Sequence, residues 1–581
     1  MSSQHPPAPA SLLRLWPAVV LVAVQWLLWF VIPLFFPGTM MLALIGAAAG
    51  GLGVLVWWFF FSRLPWSERL GVVALMVASV VVLQRIVHPS IANAMMGMML
   101  PIYSVPVFCL ALVGAAAAAR RQAPGPRRLI LGLAILAASG TFALLRTGGI
   151  TGEGDADLHW RWQQSPEERL LAHGSAAAST GTKTPGPSVA VQPSSWPGFR
   201  GAQRDAAVRG TALTWDGPST APTALWRRPV GPGWSSFAVE GDLLYTQEQR
   251  GEEEVVACYR LTTGEPVWSH GDRVRFWESN AGAGPRGTPL LHQGKVFACG
   301  ATGLVNALDA RTGAVVWSRR AADDTGQKIP DWGFAGSPLA AGDLVIVATA
   351  GVVAAYDAAK GNLRWVGPKG GWGYSSPHAA TLDGVPQILF CNGQGVLALA
   401  PVDGALLWQH AWKSDGIAQP ALLPDGDILL GSGSGLGTKS GVLRLAVTRR
   451  GGKWTSEERW SSLVVKPYYN DLVVHRGHVY GFDGSRLACL ELDAGERRWK
   501  GGRYGHGQIL LLADQDLLLV LSESGEVALV KAVPDAFVEL ARIPAIQGKT
   551  WNHPVLAGDV LLVRNSEEMA AFRFASSSRR P

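Results

Sequence analysis

A cation, a carboxylate, a flat aromatic and two imidazoles stand at separated points in the second half of this 581-residue chain: Arg286, Asp331, Trp332, His506 and His553. Gathered in one place, such a set could hold an anionic planar ligand. Asp331 or Asp471 would then be the candidate catalytic base, and Asn470 beside Asp471 could add an amide oxygen to a Ca²⁺ shell. The plainer expectation pairs Arg286 with Asp331 or with a neighbouring backbone carbonyl. Other chemistry finds little support. There is no Walker loop, HExxH or CxxC; "GSGSGLGTKSG" (431–441) lacks the GK[ST] ending and a following helix, so it reads as a long connection. The five cysteines, Cys109, Cys258, Cys299, Cys391 and Cys489, include no adjacent pair and read as free buried thiols.

Whether those residues meet depends on the elements that carry them. Five segments align on one glycine: "ACYRLTTGEPVW" (257–268), "NALDARTGAVVW" (306–317), "AAYDAAKGNLRW" (354–365), "LALAPVDGALLW" (397–408) and "ACLELDAGERRW" (488–499), each with a tryptophan four residues after it. The glycines at 264, 313, 361, 404 and 495 are 49, 48, 43 and 91 residues apart, so the last step spans a degenerate copy, read as "GVLRLAVTRRGGKW" (441–454). Short apolar strands begin in phase near Asp242, Lys295, Asp343, Gln387, Asp427, His478, Asp516 and Asp559, eight starts about 45 residues apart. That is the period of a four-stranded propeller blade, and frequent Gly, Pro and Asp-Gly turns disfavour helix. The fold class is therefore all-β: an eight-bladed β-propeller over 196–575.

In each copy the glycine makes a turn at positive φ, and the tryptophan on the outer strand presents a flat apolar surface to the next blade. Trp226, Trp268, Trp317, Trp365, Trp408 and Trp499 are blade-docking residues on this reading. "ALWRRPV" (224–230) offers a spare outer strand and "AAFRF" (570–574) lacks a following turn and Trp, so both chain ends should share one blade and leave no open edge. The positions before the inner strands then ring the axis: Ser236, Thr288, Ser337, Ser376, Gln419, Asp471, Gln508 and His553, with Tyr374, Trp551 and Asn552 close by. The smaller of these are expected to satisfy backbone groups at strand starts.

The N-terminal part is a different material. The first 150 residues hold no Asp and one Glu, Glu68, and five apolar stretches (16–36, 40–61, 70–87, 98–119 and 129–145) approach the length that crosses a bilayer. Arg14, Arg63, Arg69, Arg120, Arg121, Arg127 and Arg128 fall in alternate connections, which places those in the cytoplasm and everything after about residue 146 outside it. The expected layout is a transmembrane helical domain over 1–146, a flexible linker over 147–195 and a disordered tail over 576–581. Within the linker Ser165, Pro166 and Glu168 announce a short helix near 165–173, stopped by Gly174 and lying on the membrane surface beside "HWRW" (159–162). No acidic residue falls within a span, which argues against an ion pump. The net charge of +7 is carried in part by loop arginines and gives no case for nucleic acid as a partner.

The tandem A-x-D-x-x-T-G-x-x-x-W pattern resembles the pyrroloquinoline-quinone (PQQ) repeat family, and "WPGFRG" (196–201), "GPRGTP" (284–289), "DWGFAGSP" (331–338), "GYSSP" (373–377) and "WNHPV" (551–555) are similar to exported BamB-like members. The resemblance implies a propeller in the bacterial periplasm that binds a protein at its face or rim without turnover and without a cofactor. Its alternative is a quinoprotein dehydrogenase that oxidises an alcohol or sugar with PQQ and calcium and passes electrons to membrane quinone. Arg286, Trp332, His506 and His553 would then bind the cofactor. Blades of about 45 residues leave little for the insertions that wall PQQ in, and the vicinal disulfide of soluble quinoprotein alcohol dehydrogenases is missing.

Overall fold

Long uninterrupted apolar runs dictate helix, and short runs between glycine turns dictate sheet. The computed structural model follows that division and describes residues 14–36, 39–177, 195–215, 217–433 and 439–576. The chain falls into two compact units, Met1–Gln163 with Glu278–Gly282, and Gln164–Trp277 with Ala283–Pro581.

The first unit is helical. Its main helices are Trp16–Trp26, Met40–Val56, Trp66–Ile86, Met99–Ala118 and Pro124–Ala143, the first two continued by π-helical turns at Leu27–Val31 and Trp57–Phe61. Leu42–Phe61, Trp66–Ile86 and Met99–Ala118 are long and apolar enough to cross a membrane, while Trp16–Val31 is a shorter apolar helix. Among the described residues, length and composition thus single out three candidate crossings where the sequence suggested five; Pro124–Ala143 carries Arg127 and Arg128 near its start. Leu52, Phe60, Val77 and Val81 are exposed on helix surfaces.

Glu68 departs from its expected place outside the spans. It sits in the first turn of Trp66–Ile86, buried, and accepts from Arg127 Nε and Nη2, both at 2.9 Å, and from Arg128 Nε at 3.1 Å. A carboxylate this buried is tolerable only because two guanidinium groups compensate it. The ion cluster draws the start of the last helix to the start of the third. At the other ends of these helices the backbone N–H of Thr147 donates to Ser90 Oγ at 2.9 Å. Residues 145–160, assigned in part to the linker, instead form a hairpin, Leu145–Ile150 with Ala156–Trp160, immediately after the last helix.

The second unit holds eight four-stranded blades. Blade 1 is built on Ala238–Glu240, Leu243–Arg250, Glu253–Arg260 and Pro266–Asp272, and blades 2 to 7 repeat that order outward from inner strands Leu290–His292, Leu339–Ala341, His378–Leu382, Ala421–Leu422, Val473–His475 and Gln508–Leu512. Blade 8 takes Val555–Ala557, Val560–Arg564 and Glu568–Arg573 from the C-terminal end and Thr223–Pro229 from the start of the domain, with Ala571 opposite Trp226. Middle strands such as Leu344–Thr349 and Val352–Asp357 are buried along nearly their whole length because a neighbouring sheet covers each face. Outer strands such as Val315–Arg320 bury chiefly the tryptophan.

The helix Pro166–Ala177 runs past Gly174, contrary to the expected stop, and opens with the capping box: the backbone N–H of Glu168 donates to Ser165 Oγ and that of Ser165 to Glu168 Oε2. It docks on blade 1, where the sequence suggested a place on the membrane surface: Glu167 receives both Arg275 Nη atoms at 2.7 and 2.8 Å and the Gly251 backbone N–H at 2.9 Å. The remaining linker residues 178–194, the tail 577–581 and the glycine-rich stretch 434–438 lie outside the described residues.

Candidate functional site

The ring of strand-start residues is a set of staples between blades. The backbone N–H of Ser236 donates to Thr288 Oγ1 at 3.0 Å, that of Thr288 to Ser337 Oγ at 3.0 Å, and that of Ser337 to Ser376 Oγ at 2.9 Å. Gln419 continues the series by donating its N–H to Asp471 Oδ1 at 2.8 Å, while the Gln508 side chain reaches the carbonyls of Tyr469 and Trp551. Blades 1, 2, 3 and 5 thus each hand a backbone amide to the next blade, which satisfies groups that water cannot readily reach.

Below that ring the axis is filled by the chain itself. Ser195–Trp196 pairs antiparallel with the end of the blade 1 inner strand, and Ala207–Val208 pairs parallel with the end of the blade 7 inner strand. Between them residues 197–206 loop inward. Arg200 and Arg204 are only 2% and 4% exposed, and both, with Ala206, hold positive φ (60°, 54° and 56°). Left-handed backbone costs a non-glycine residue about 1–2 kcal/mol, so these positions persist because tertiary bonds hold them. Arg200 Nη2 donates to the Leu472 carbonyl at 2.7 Å and its Nε stands 3.5 Å from Asp471; Arg204 donates to the carbonyls of Ser337, Pro338 and Pro377. Phe199 meets the His553 ring edge-on at 5.9 Å.

The opposite mouth of the axis, formed by residues that precede the inner strands, is aromatic. Trp551 lies 4.8 Å from both Trp234 and Tyr469, Tyr469 lies 5.3 Å from His506, and Lys549 Nζ sits 4.3 Å over Trp551. Trp332 and Tyr374 make a separate pair at 5.0 Å.

These placements disperse the candidates. Arg286 donates to the carbonyls of Ala283 and Gly284 and stacks over Phe276, Asp331 is exposed, and Trp332 rests on Tyr374. His506 belongs to the aromatic mouth. His553 is buried against Phe199, with burial first and Arg200 second lowering its pKa to about 3. Asp471 serves Arg200 and Gln419. A planar tricarboxylate with calcium does not fit this dispersed set: Asp471 stands 3.5 Å from the Arg200 guanidinium, and His553, one of the two histidines assigned to the cofactor, faces the Phe199 ring. Among the described residues no group of three or more His, Cys, Asp or Glu side chains is placed to hold a metal ion. The five cysteines are free and buried. Sequence reasoning missed Arg200 and Arg204; the similarity of "WPGFRG" touched the first, but nothing local marks an arginine that will be buried.

The repeat tryptophans form a second constellation. The indole of each lies over the turn glycine of the next blade and donates its N–H to a carbonyl of that turn: Trp226 to Leu261 at 2.8 Å, Trp268 to Ala310 at 3.0 Å, Trp317 to Ala358 at 3.2 Å and Trp365 to Pro401 at 3.0 Å. Trp499 reaches the Val533 carbonyl at 2.8 Å. Trp408 differs, because it donates to Gln387 Oε1 of its own blade. The degenerate copy also needs correction. Its docking tryptophan is Trp460, over Gly495 and bonded to the Leu492 carbonyl at 2.9 Å, whereas Trp454 sits in the extended hairpin under Arg449.

The PQQ-type family model described as "Outer membrane protein assembly factor BamB" matches residues 252–501. The matched residues lie within the eight-bladed propeller, whose repeats are similar to those of that family. A BamB from Yersinia pestis is 27% identical over 303 residues, 48% of this chain and 74% of that protein. Among solved structures, BamB from Moraxella catarrhalis aligns at TM-score 0.45 and 16% identity over 61% of this chain and 98% of its own. A europium-containing methanol dehydrogenase aligns at 0.49 and 13%, over 66% and 98%. A shared fold does not fix a function, which has to be argued from the site.

Proposed function

We propose that this chain is a multi-pass inner-membrane protein whose extracytoplasmic PQQ-like propeller binds a protein partner and carries out no turnover. The observation that carries the reading is the axial loop: Arg200 and Arg204 occupy the centre of the ring and donate to the propeller's own carbonyls, which ties the loop to the blades. A wheel locked in this way is a rigid platform. The relatives titled as outer membrane assembly factors support a protein as the partner. The orientation is supported by Glu68, which gathers Arg127 and Arg128 at the end of the helical unit where Arg63 and Arg69 also lie, the pattern of a cytoplasmic side.

One observation favours the alternative, a PQQ-dependent dehydrogenase: the aromatic mouth offers Trp551, Trp234 and Tyr469 as stacking surfaces with a lysine above. Two measurements separate the readings. Photocrosslinkers placed at the exposed Val402 and Trp372 of the propeller should trap a discrete protein in intact cells. The purified full-length chain mixed with PQQ and Ca²⁺ should gain neither quinone absorbance nor dye-linked oxidation of alcohols or sugars; appearance of either defeats the scaffold reading.

A further inference from the structure

We propose that the cavity beside the axial loop binds a small organic anion, its acidic head between Arg204 and His378 and its apolar body against blades 5 and 6. The cavity has a volume of about 530 Å³ and opens where the inner strands of these blades end, on the side from which the loop enters. That volume is within the range of small-molecule sites.

Charge at its inner end is unbalanced. Two guanidinium groups, Arg200 and Arg204, are nearly fully buried there, and the nearest carboxylate, Asp471, stands 3.5 Å from Arg200. Arg204 has only carbonyl acceptors, and among the described residues no carboxylate lies within ion-pair distance of it. Burial first and Arg200 second pull its pKa down to about 9, the mark of a cation lacking its counter-charge. His378 lines the same end, 2% exposed, with no hydrogen-bond partner at Nδ1. Burial, then Arg204 and Arg200, keep its imidazole neutral, with a pKa of about 3. An acidic group placed there gives Arg204 its missing partner and His378 a bond that a buried ring nitrogen otherwise lacks.

The outer part of the cavity selects the rest of the ligand. Leu422, Pro424, Leu472 and Leu511 make its walls, and the one acidic residue in the lining, Asp205, is already paired with Arg209 at 2.6 Å. A compact inorganic anion would use the inner end alone; apolar walls select a carboxylate with a hydrocarbon body. The site is independent of whether the propeller is a scaffold or an enzyme, since it lies away from the aromatic mouth.

Calorimetric titration of the purified full-length chain with butyrate, hexanoate, octanoate and inorganic phosphate tests this. Saturable binding should tighten with chain length, and phosphate should bind more weakly than hexanoate. Arg204→Met should weaken hexanoate by about thirtyfold or more. Because that variant also removes bonds that hold the loop, Leu422→Trp provides the second arm: it fills the cavity from a half-exposed strand end and should abolish binding with the melting temperature unchanged. Absence of saturable binding by every probe at millimolar concentration, phosphate binding as tightly as hexanoate, or undiminished affinity in a folded Leu422→Trp protein each overturns the proposal.

Discussion

At the scale of single residues, the tryptophan and the glycine of the repeat are one device divided between two blades. A Cβ at Gly361 would lie 2.5 Å from the Trp317 ring, and its φ of 72° already disfavours any side chain. Gly361→Ala should therefore destabilise the propeller by at least roughly 1–3 kcal/mol, and Trp317→Ala by about 3–5 kcal/mol, read from denaturant midpoints. The double variant should cost less than the two singles together, because removing the indole removes the clash; strict additivity would sink the coupling. A second residue-scale expectation concerns Glu254, buried between blades 1 and 2, where burial first raises its pKa to about 7 while the Ala301 backbone N–H partly opposes the shift. Unfolded, the carboxyl ionises near 4.5, so between that pH and about 7 the unfolded chain has released a proton the folded one keeps, and stability falls as pH rises. Glu254→Gln should leave the melting temperature at pH 4 nearly unchanged and raise it at pH 8. Equal effects at both would rule out the carboxyl as the source.

At the scale of elements, the closing blade carries the greatest demand, because its outer strand comes from the other end of the domain. Thr223–Pro229 pairs with Glu568–Arg573, Trp226 docks it on blade 1, and the buried Arg564 completes the closure by donating to Thr246 Oγ1 and to the carbonyls of Gln247 and Gly231 in and before blade 1. Arg564→Met strips three buried acceptors of their donor and should cost roughly 3–5 kcal/mol. Hydrogen exchange should accelerate first in Leu243–Arg250 and Val560–Arg564. Uniform loss of protection around all eight blades would contradict a seam at this position. Two other seams lack the indole-to-turn bond: Trp408 bonds within its own blade, and Ala541 occupies the matching position of blade 7, opposite Leu529.

At the scale of the whole molecule, the proposed function requires the cationic loops and the propeller to be on opposite sides of a membrane. The natural thiols are all buried, so single exposed cysteines can report topology against a low background. Arg121→Cys should react with an impermeant maleimide only after the membrane is opened, and Lys453→Cys, on the blade 5 hairpin, in intact spheroplasts. Labelling of both under the same condition would reject the arrangement.

The sequence by itself determined the wheel and its number of blades, because a blade is a local unit and its Asp, Gly and Trp recur at an interval that survives in the letters alone. It also determined that the two ends of the domain share a blade, since a spare strand at one end answered an unfinished one at the other. Only the tertiary structure decided the axis. Arg200 bonds a residue 272 positions away and Arg204 one 133 away, both from a left-handed backbone that no local propensity favours. The misplacement of Trp454 for Trp460 has the same root: the bulge between Arg444 and Leu445 sets which tryptophan faces the next blade, and pairing register is a property of two strands, not one. Local repetition is written along the chain, whereas burial of charge depends on what the closed ring brings to its centre.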